Sequence, residues 1–193
     1  MNNFLNLPFM VITLVLMTGP ITAAAQSVTI LGDSDDAREC YFSAGIAIQM
    51  QSTSSAEIET CSRALSIGNL RLRDKAATFV NRGILYAANE QYQKAIKDYE
   101  SAMKLYPEFG AIYVNRGNLF FLGQSYDSAI MEYTKALDLD LSQDHVAYLN
   151  RGMAYEKLGK LSNAESDYRL AIELAPEWSV AKSKLERVLI KIN

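Results

Sequence analysis

The sequence predicts an all-α protein built from stacked antiparallel helix pairs. A triplet, Asn-Arg-Gly, begins at Asn81 and returns at Asn115 and Asn150, at spacings of 34 and 35 residues. Apolar residues around each copy recur at helical intervals, and the sequence lacks alternating apolar and polar runs that would indicate strands. A unit that repeats at this spacing is typical of a stack of small helical modules.

Each copy of the triplet has the same companions at the same offsets. They are Phe79, Arg82, Gly83, Tyr86, Ala95, Tyr99 and Pro107; Tyr113, Arg116, Gly117, Phe120, Ala129 and Tyr133; and Tyr148, Arg151, Gly152, Tyr155, Ala164, Tyr168 and Pro176. The aromatic residues form one apolar stripe on each helix, and the small Gly and Ala let two helices approach closely. Pro107 and Pro176 lie where the second helix of a pair should end. One pair cannot bury its whole apolar surface, so successive pairs must stack.

This pattern resembles the tetratricopeptide repeat, in which an aromatic residue, Leu-Gly and Tyr are followed by Ala, an aromatic residue and Pro. The resemblance implies tetratricopeptide-type helix pairs stacked in a right-handed superhelix that offers a binding surface and usually no active site. The sequence departs from the family pattern at one site, because Arg replaces the usual Leu in all three copies.

A fourth, degenerate copy lies upstream and is found by aligning Gly45 with Gly83. The step between these glycines is 38 residues, so about one helical turn is inserted near Leu70 to Lys75. We therefore expect a repeat domain over residues 38–193, with repeats at 38–71, 76–109, 110–143 and 145–178 and a capping helix at 179–193. The cap has a charged side formed by Lys182, Lys184, Glu186, Arg187 and Lys191.

The N-terminal region is typical of a secretory signal peptide over residues 1–25. Leu5 to Met17 is nearly all apolar, Gly19-Pro20 interrupts it, and Ala23 to Ala25 offers a small-residue cleavage site. We expect cleavage before Gln26, an exposed lead-in at 26–37 and a periplasmic protein. The alternative is an uncleaved membrane anchor, although the apolar run is short for ~20 spanning residues and contains Pro8.

The composition leaves little material for catalysis, cofactors, metals or nucleic acid. The net charge is −3, whereas nucleic-acid binding favours a basic face. His145 is the only histidine, and no Gly-rich phosphate loop is present. We predict no catalytic or metal site, no cofactor and no small-molecule substrate.

Cys40 and Cys61 are the only cysteines, and both fall in the first helix pair. Antiparallel helices bring their levels together, and an oxidising compartment favours a bond that could contribute ~3 kcal/mol. We predict a disulfide, with two buried thiols as the alternative.

The three arginines of the triplets each have an acidic residue sixteen positions later. The predicted ion pairs are Arg82 with Asp98, Arg116 with Glu132, and Arg151 with Asp167. In the first copy both members are missing together, because Ala44 and Thr60 occupy these sites. The repetition favours structural pairs within each helix pair over ligand-binding arginines.

The asparagines of the triplets are the predicted ligand-binding residues, because the family's first helices line the concave side of the superhelix. An asparagine on this side resembles the asparagine ladder in the repeat domain of O-linked GlcNAc transferase, which holds a peptide by its backbone. The residues at this position are Asn81, Asn115 and Asn150. One amide offers both donors and an acceptor to a peptide unit. The alternative is that the amides hold neighbouring helices together.

Beside the amides we expect a concave wall that is exposed and apolar, as binding grooves are. Its residues are Val80, Ile84, Val114, Asn118, Phe121, Leu122, Leu149 and Met153. The alternative is that about half of these residues are buried between helices and belong to the core.

The resulting prediction is a non-catalytic scaffold that binds a protein or an extended peptide in the periplasm, similar to small secreted tetratricopeptide proteins of Gram-negative bacteria. The alternatives are a membrane-tethered assembly factor and, from another class, an enzyme. Peptides held by a two-carboxylate clamp are disfavoured, because Lys157 is the only basic residue in the repeats apart from the paired arginines that could serve on a first helix. The partner cannot be named from the fold.

Overall fold

The structure is a computed structural model that describes Thr29 and residues 34–67, 69–139 and 144–193. Within these residues the chain forms nine helices and no strand. The helices are α1 (Asp35–Met50), α2 (Ser55–Ile67), α3 (Leu72–Ala88), α4 (Tyr92–Leu105), α5 (Gly110–Leu122), α6 (Tyr126–Leu137), α7 (Asp144–Lys157), α8 (Leu161–Leu174) and α9 (Ser179–Ile192). The predicted all-α class is confirmed.

The helices are arranged as four consecutive pairs with one additional helix. Within each pair the first helix packs against the second, and each pair packs against the next. Helix α9 packs against α8, so it follows the last pair in the stack. Helices α4 and α8 end at Leu105 and Leu174, in each case two residues before a proline. Proline cannot continue a helix without clashing with the preceding turn.

Close packing between the two helices of a pair depends on glycine. A Cβ atom added at Gly117 would lie 2.6 Å from the ring of Tyr133, and one at Gly152 would lie 2.7 Å from the ring of Tyr168. The first pair differs, because the space beside Gly45 is open and the smaller Cys61 occupies the position of the tyrosine. The Gly–Tyr contact therefore explains why glycine and tyrosine occur together in three of the four pairs.

The turns between the helices of a pair share one backbone feature. Glu90, Gln124 and Gly159 have positive φ angles of 56°, 61° and 71°, and the second helix starts at the second residue after each. The left-handed conformation costs little for glycine and more for other residues. Only the last of these turns uses glycine.

One expectation about the N-terminal part needs correction, and another is confirmed. Helix α1 begins at Asp35, capped by the Ser34 hydroxyl, so the lead-in ends before residue 37, and Ala37 is buried. The insertion near residues 70–75 is an additional first turn of α3, which has 17 residues whereas α5 has 13. The lead-in boundary was missed because the N-cap of α1, Ser34, lies outside the repeat pattern, whereas the insertion agrees with the expected additional turn.

The predicted signal segment, residues 1–25, lies outside the described residues, as do its apolar run and its cleavage site. Among the helices that are described, none is both long and apolar enough to cross a membrane.

Candidate functional site

The three predicted ion pairs are confirmed. Arg82 and Arg151 each donate two hydrogen bonds of 2.8 Å, to Asp98 and Asp167 respectively. Arg116 donates to Glu132 at 2.9 and 2.5 Å. Each guanidinium is bidentate and largely buried, a geometry that gives strong, directed pairs. The arginines are therefore structural.

These arginines also connect one helix pair to the preceding pair, which the sequence did not reveal. The remaining nitrogen, Nη1, of Arg82 donates to the Ser62 hydroxyl on α2 at 3.0 Å. In the same way Nη1 of Arg151 donates to the Thr134 hydroxyl on α6 at 3.0 Å. Leucine, the usual family residue here, could pack but could not make this third bond.

The predicted disulfide joins Cys40 of α1 to Cys61 of α2, with Cα atoms 4.9 Å apart. Both residues are fully buried. The bond links the two helices of the first pair, which lacks the Gly–Tyr contact of the other pairs. The Arg63–Asp36 ion pair between these helices is more exposed than the arginine–carboxylate pairs of the other three.

The three asparagines of the triplets are buried, with relative exposures of 0%, 2% and 0% for Asn81, Asn115 and Asn150. The amide nitrogen of Asn150 donates to Oδ1 of Asn118 at 3.0 Å, and the same oxygen accepts from the Tyr133 hydroxyl at 2.9 Å. This bond joins α7 to α5, as expected if the amides hold the stack together. All three amides are engaged in interactions, and their ligand-binding role stays a prediction.

The expectation of an exposed concave wall is wrong for seven of its eight residues. Leu122 is 44% exposed, whereas the other seven are buried, with Asn118 the least buried at 7%. Six of the seven belong to the two hydrophobic clusters of the core. Sequence periodicity could not separate wall from core, because both are apolar at the same helical spacing.

An open cleft of about 350 Å³ lies beside Phe121 and Met153, two of the predicted wall residues. We call it the basic cleft; it is lined by Phe121, Met153, Glu156, Lys157, Lys184, Arg187 and Lys191. Phe121 and Met153 are wall residues and supply its apolar floor. The polar residues come from the end of α7 and from α9.

Glu156 holds two of the cleft's cations in place. Its carboxylate accepts hydrogen bonds from Arg187 at 3.1 and 2.6 Å, from Lys191 at 2.6 Å and from the Tyr168 hydroxyl at 3.0 Å. Burial alone would raise the pKa of Glu156, but the hydrogen bonds from Arg187 and Lys191 outweigh it and hold the pKa at about 2. The carboxylate is therefore ionised at neutral pH and ties α9 to α7.

Lys157 and Lys184 complete the positive charge of the cleft. Neither forms an ion pair with a carboxylate of the described residues. Lys184 is only 8% exposed, and its burial, together with the neighbouring Arg187 charge, lowers its pKa to about 8. A buried cation without a carboxylate is costly, so an anionic group entering the cleft would relieve that cost.

The contribution of α9 to this cleft is what sequence reasoning missed. The sequence interpretation treated α9 as a cap and counted only Lys157 as a basic binding candidate. Lys184, Arg187 and Lys191 are spaced by three and four residues, so they share one helix face. That spacing was visible, but only the docking of α9 places this face beside α7.

The described residues contain no cluster of three or more His, Cys, Asp or Glu side chains that could hold a metal ion. The one carboxylate that lines the cleft, Glu156, already accepts four hydrogen bonds. What the arrangement offers is recognition of an anionic, partly apolar segment.

Solved structures with the same architecture are tetratricopeptide domains. The TPR domain of Arabidopsis OM64 is 28% identical with a TM-score of 0.59, and the alignment covers 63% of this chain and 99% of that domain. The first TPR of Spaghetti (RPAP3) bound to the HSP90 peptide SRMEEVD is 27% identical with a TM-score of 0.59, over 62% of this chain and 94% of that one. The second TPR domain of human RPAP3, in complex with the HSP70 peptide SGPTIEEVD, is 25% identical with a TM-score of 0.56, over 61% and 98%. No curated protein sequence matches significantly.

Family models of the tetratricopeptide repeat match residues 76–109, 110–143 and 145–177. Together these ranges cover just over half of the chain and correspond to the pairs α3–α4, α5–α6 and α7–α8. The chain belongs to the tetratricopeptide repeat family.

Proposed function

We propose that this protein is a non-catalytic scaffold that binds an extended segment of a partner protein on its concave side and acts in the periplasm. The observation that carries the proposal is the basic cleft. It combines an apolar floor, Phe121 and Met153, with two cations, Lys157 and Lys184, that have no carboxylate partner among the described residues.

The cleft favours acidic segments. A partner carboxylate can pair with Lys184 and Lys157, while an adjacent apolar side chain contacts the floor. The peptides bound by the two RPAP3 domains both end in Glu-Glu-Val-Asp, which is acidic with one apolar residue. They support an acidic ligand class here, although the cations of this cleft come largely from α9.

The export part of the proposal rests on the signal-like N-terminus and on the disulfide. Disulfides persist in oxidising compartments such as the bacterial periplasm and are rare in the cytosol. The Cys40–Cys61 bond lies in the one helix pair that lacks a buried arginine–carboxylate pair, so an oxidising environment would matter for stability.

The acidic peptide SRMEEVD serves as a probe of the cleft. The control is a neutral peptide in which Gln replaces each Glu, Asn replaces Asp and an amide replaces the C-terminal carboxylate. We expect fluorescence anisotropy to show binding of the acidic form only, weakened by salt because the contacts are ionic. Lys157→Glu should reduce that binding. Lys97→Glu, an equally exposed charge reversal on α4, is the matched control and should not.

Equal binding of both peptides, or equal loss in both variants, would count against the cleft as the site. The wall amides are tested separately by replacing Asn81, Asn115 and Asn150 with Ala. A folded triple variant that captures its periplasmic partners unchanged would assign the amides to the stack alone.

A further inference from the structure

Helix α1 buries small side chains and exposes large apolar ones. Its buried residues are Ala37, Cys40, Ser43, Ala44 and Ala47. Phe42, Ile46 and Met50 are instead 63%, 55% and 68% exposed. A helix on the surface of a protein normally turns its large apolar side chains towards the core. Exposed apolar residues grouped on one face are typical of an interaction surface.

We call Phe42, Ile46 and Met50 the α1 ridge. They are spaced four residues apart, so they lie along one row of the helix surface, with Ile46 at its centre. Cys40 on the opposite face is bonded to Cys61 of α2, and α3 also packs against α1. The α1 ridge therefore lies on the outer side of the first helix pair.

From this ridge we propose that two copies of the protein form a two-fold dimer in which their α1 helices cross in antiparallel orientation. Rows of residues four apart on two helices interdigitate when the helices pack. A two-fold interface uses the same surface of both copies. The α1 ridge meets this requirement, because Ile46 lies at the axis and Phe42 of each copy lies against Met50 of the other copy. Methionine sulfur makes favourable contacts with aromatic rings.

The charges of α1 favour a second copy in this orientation. Residues 40–56 include no charged side chain, so two α1 ridges can meet without like charges between them. Asp35 and Asp36 lie in the first turn of α1. A parallel arrangement would bring the acidic first turns of both copies together, whereas the antiparallel arrangement places them at opposite ends of the interface. A strongly charged partner would find no opposite charge along the ridge.

The size of the surface determines how stable the dimer is. One face of the 16-residue helix α1 is about 24 Å long and about 10 Å wide, well below the ~800 Å² per copy that stable complexes bury. Interfaces of this size are weak and reversible. We therefore expect a dissociation constant on the order of tens of micromolar.

The dimer leaves the basic cleft open, because the residues that line the cleft belong to α5, α7 and α9. Two copies joined through α1 would present two clefts in one assembly. Binding at two linked sites is tighter than binding at either site alone when both can be reached. This consequence rests on the proposed function, whereas the dimer itself does not.

The test uses the disulfide-bonded protein purified from its host. Sedimentation equilibrium over roughly 1 to 300 μM should show monomers at the low end and dimers at the high end. Because the ridge is uncharged, about 0.5 M sodium chloride should not weaken the dimer. Monomers at every concentration overturn the proposal, and so does a dimer that dissociates in salt, since its interface would be ionic.

Variants of the central residue test the location of the interface. Ile46→Asp should raise the dissociation constant roughly tenfold or more, because it places two carboxylates in an apolar contact. Ile46→Leu keeps the ridge apolar and should retain the dimer. Met131→Asp is the matched control, since Met131 is 72% exposed on α6, and it should leave the dimer unchanged. Circular dichroism checks that each variant is folded. A folded Ile46→Asp protein that dimerises like the parent overturns the assignment to α1.

Photochemical cross-linking tests the orientation. Benzoylphenylalanine replaces Phe42 in an equal mixture of isotopically heavy and light copies. After irradiation, mass spectrometry should identify heavy–light cross-links from position 42 to residues around Met50. Cross-links confined to single copies would show that the chain covers its own ridge, and heavy–light cross-links to residues around position 42 would indicate parallel helices. Either result overturns the proposal.

Binding of the acidic probe to the basic cleft is measured on the same protein. If the probe binds while no dimer forms, only this inference fails and the proposed function stands. If the dimer forms while the probe does not bind, the acidic ligand fails and the dimer stands.

Discussion

At the scale of single residues, the Gly–Tyr contact decides how closely the two helices of a pair approach. A methyl group at Gly117 would meet the buried Tyr133 ring at 2.6 Å, whereas one at Gly45 meets open space. We expect Gly117→Ala to destabilise the protein by ~1–3 kcal/mol through overpacking. Gly45→Ala should be neutral or stabilising by up to ~1 kcal/mol, because alanine favours a helix. Urea unfolding of both variants measures the difference, and equal effects would contradict this account.

The ion pair between Arg116 and Glu132 can be tested at the same scale. Replacing either residue with Leu leaves one largely buried charge without its partner, so each single change should be strongly destabilising. The double replacement removes both charges and should cost less than the sum. We expect a double-mutant cycle from chemical denaturation to give a coupling of ~1–3 kcal/mol. Additive free energies of unfolding would show that the pair contributes little.

At the scale of elements, the first helix pair has a disulfide where the other pairs have a Gly–Tyr contact and a buried arginine–carboxylate pair. The bond joins residues 21 apart, and closing a loop of that size contributes ~3 kcal/mol. We expect reduction, or Cys40→Ala with Cys61→Ala, to speed amide hydrogen exchange in α1 and α2. Exchange in α7 and α8 should change little, since repeats interact mainly with their neighbours. Uniform acceleration along the chain would contradict this local role.

Helix α9 is held on α7 by the charged contacts of Glu156, which makes its docking sensitive to pH. The folded-state pKa of about 2 lies below the ordinary glutamate pKa of 4.5, so this stabilisation is present above pH 4.5 and is lost as the pH falls towards 2. We expect Glu156→Gln to lower the melting temperature near neutral pH and to match the parent protein near pH 2. The control is Glu173→Gln, an exposed carboxyl on α8. A difference that does not depend on pH would reject the ionic origin.

At the scale of the whole molecule, the proposed export predicts that the mature chain begins at Gln26. We expect mass spectrometry of the protein from its native host to find Gln26, cyclised to pyroglutamate, at the N-terminus of a periplasmic species. Ala23 to Ala25 supply the small residues that signal peptidase needs. Intact Met1 in the membrane fraction would instead support the anchored alternative.

Pairwise features within one helix pair could be predicted from the sequence. An arginine is followed by an acidic residue sixteen positions later in three copies, as in Arg82 and Asp98, and both residues are absent from the first copy. The ion pair could therefore be predicted from the sequence. Cys40 and Cys61 are likewise at matching levels of one pair. Such contacts depend on local geometry, which the helical period determines.

The candidate site was predictable only in part. Lys184, Arg187 and Lys191 share a helix face, but their proximity to Met153 depends on how α9 docks. The burial of Val80 and Val114 could not be predicted from the sequence either. An apolar stripe has the same residue spacing whether it is exposed to water or packed against protein.

The sequence by itself determined the helix pairs, their stacking order and the cross-links inside each pair, because a repeat of 34–35 residues imposes the same local geometry every time. Only the tertiary structure decided which surfaces are open. In the folded protein the wall residues around Asn115 are buried, whereas the cleft beside Lys184 is open to solvent. Burial depends on contacts between segments that are far apart in the chain. The helical period predicts which residues share one face of a helix, but only the packing of the helices determines whether that face contacts solvent or another helix.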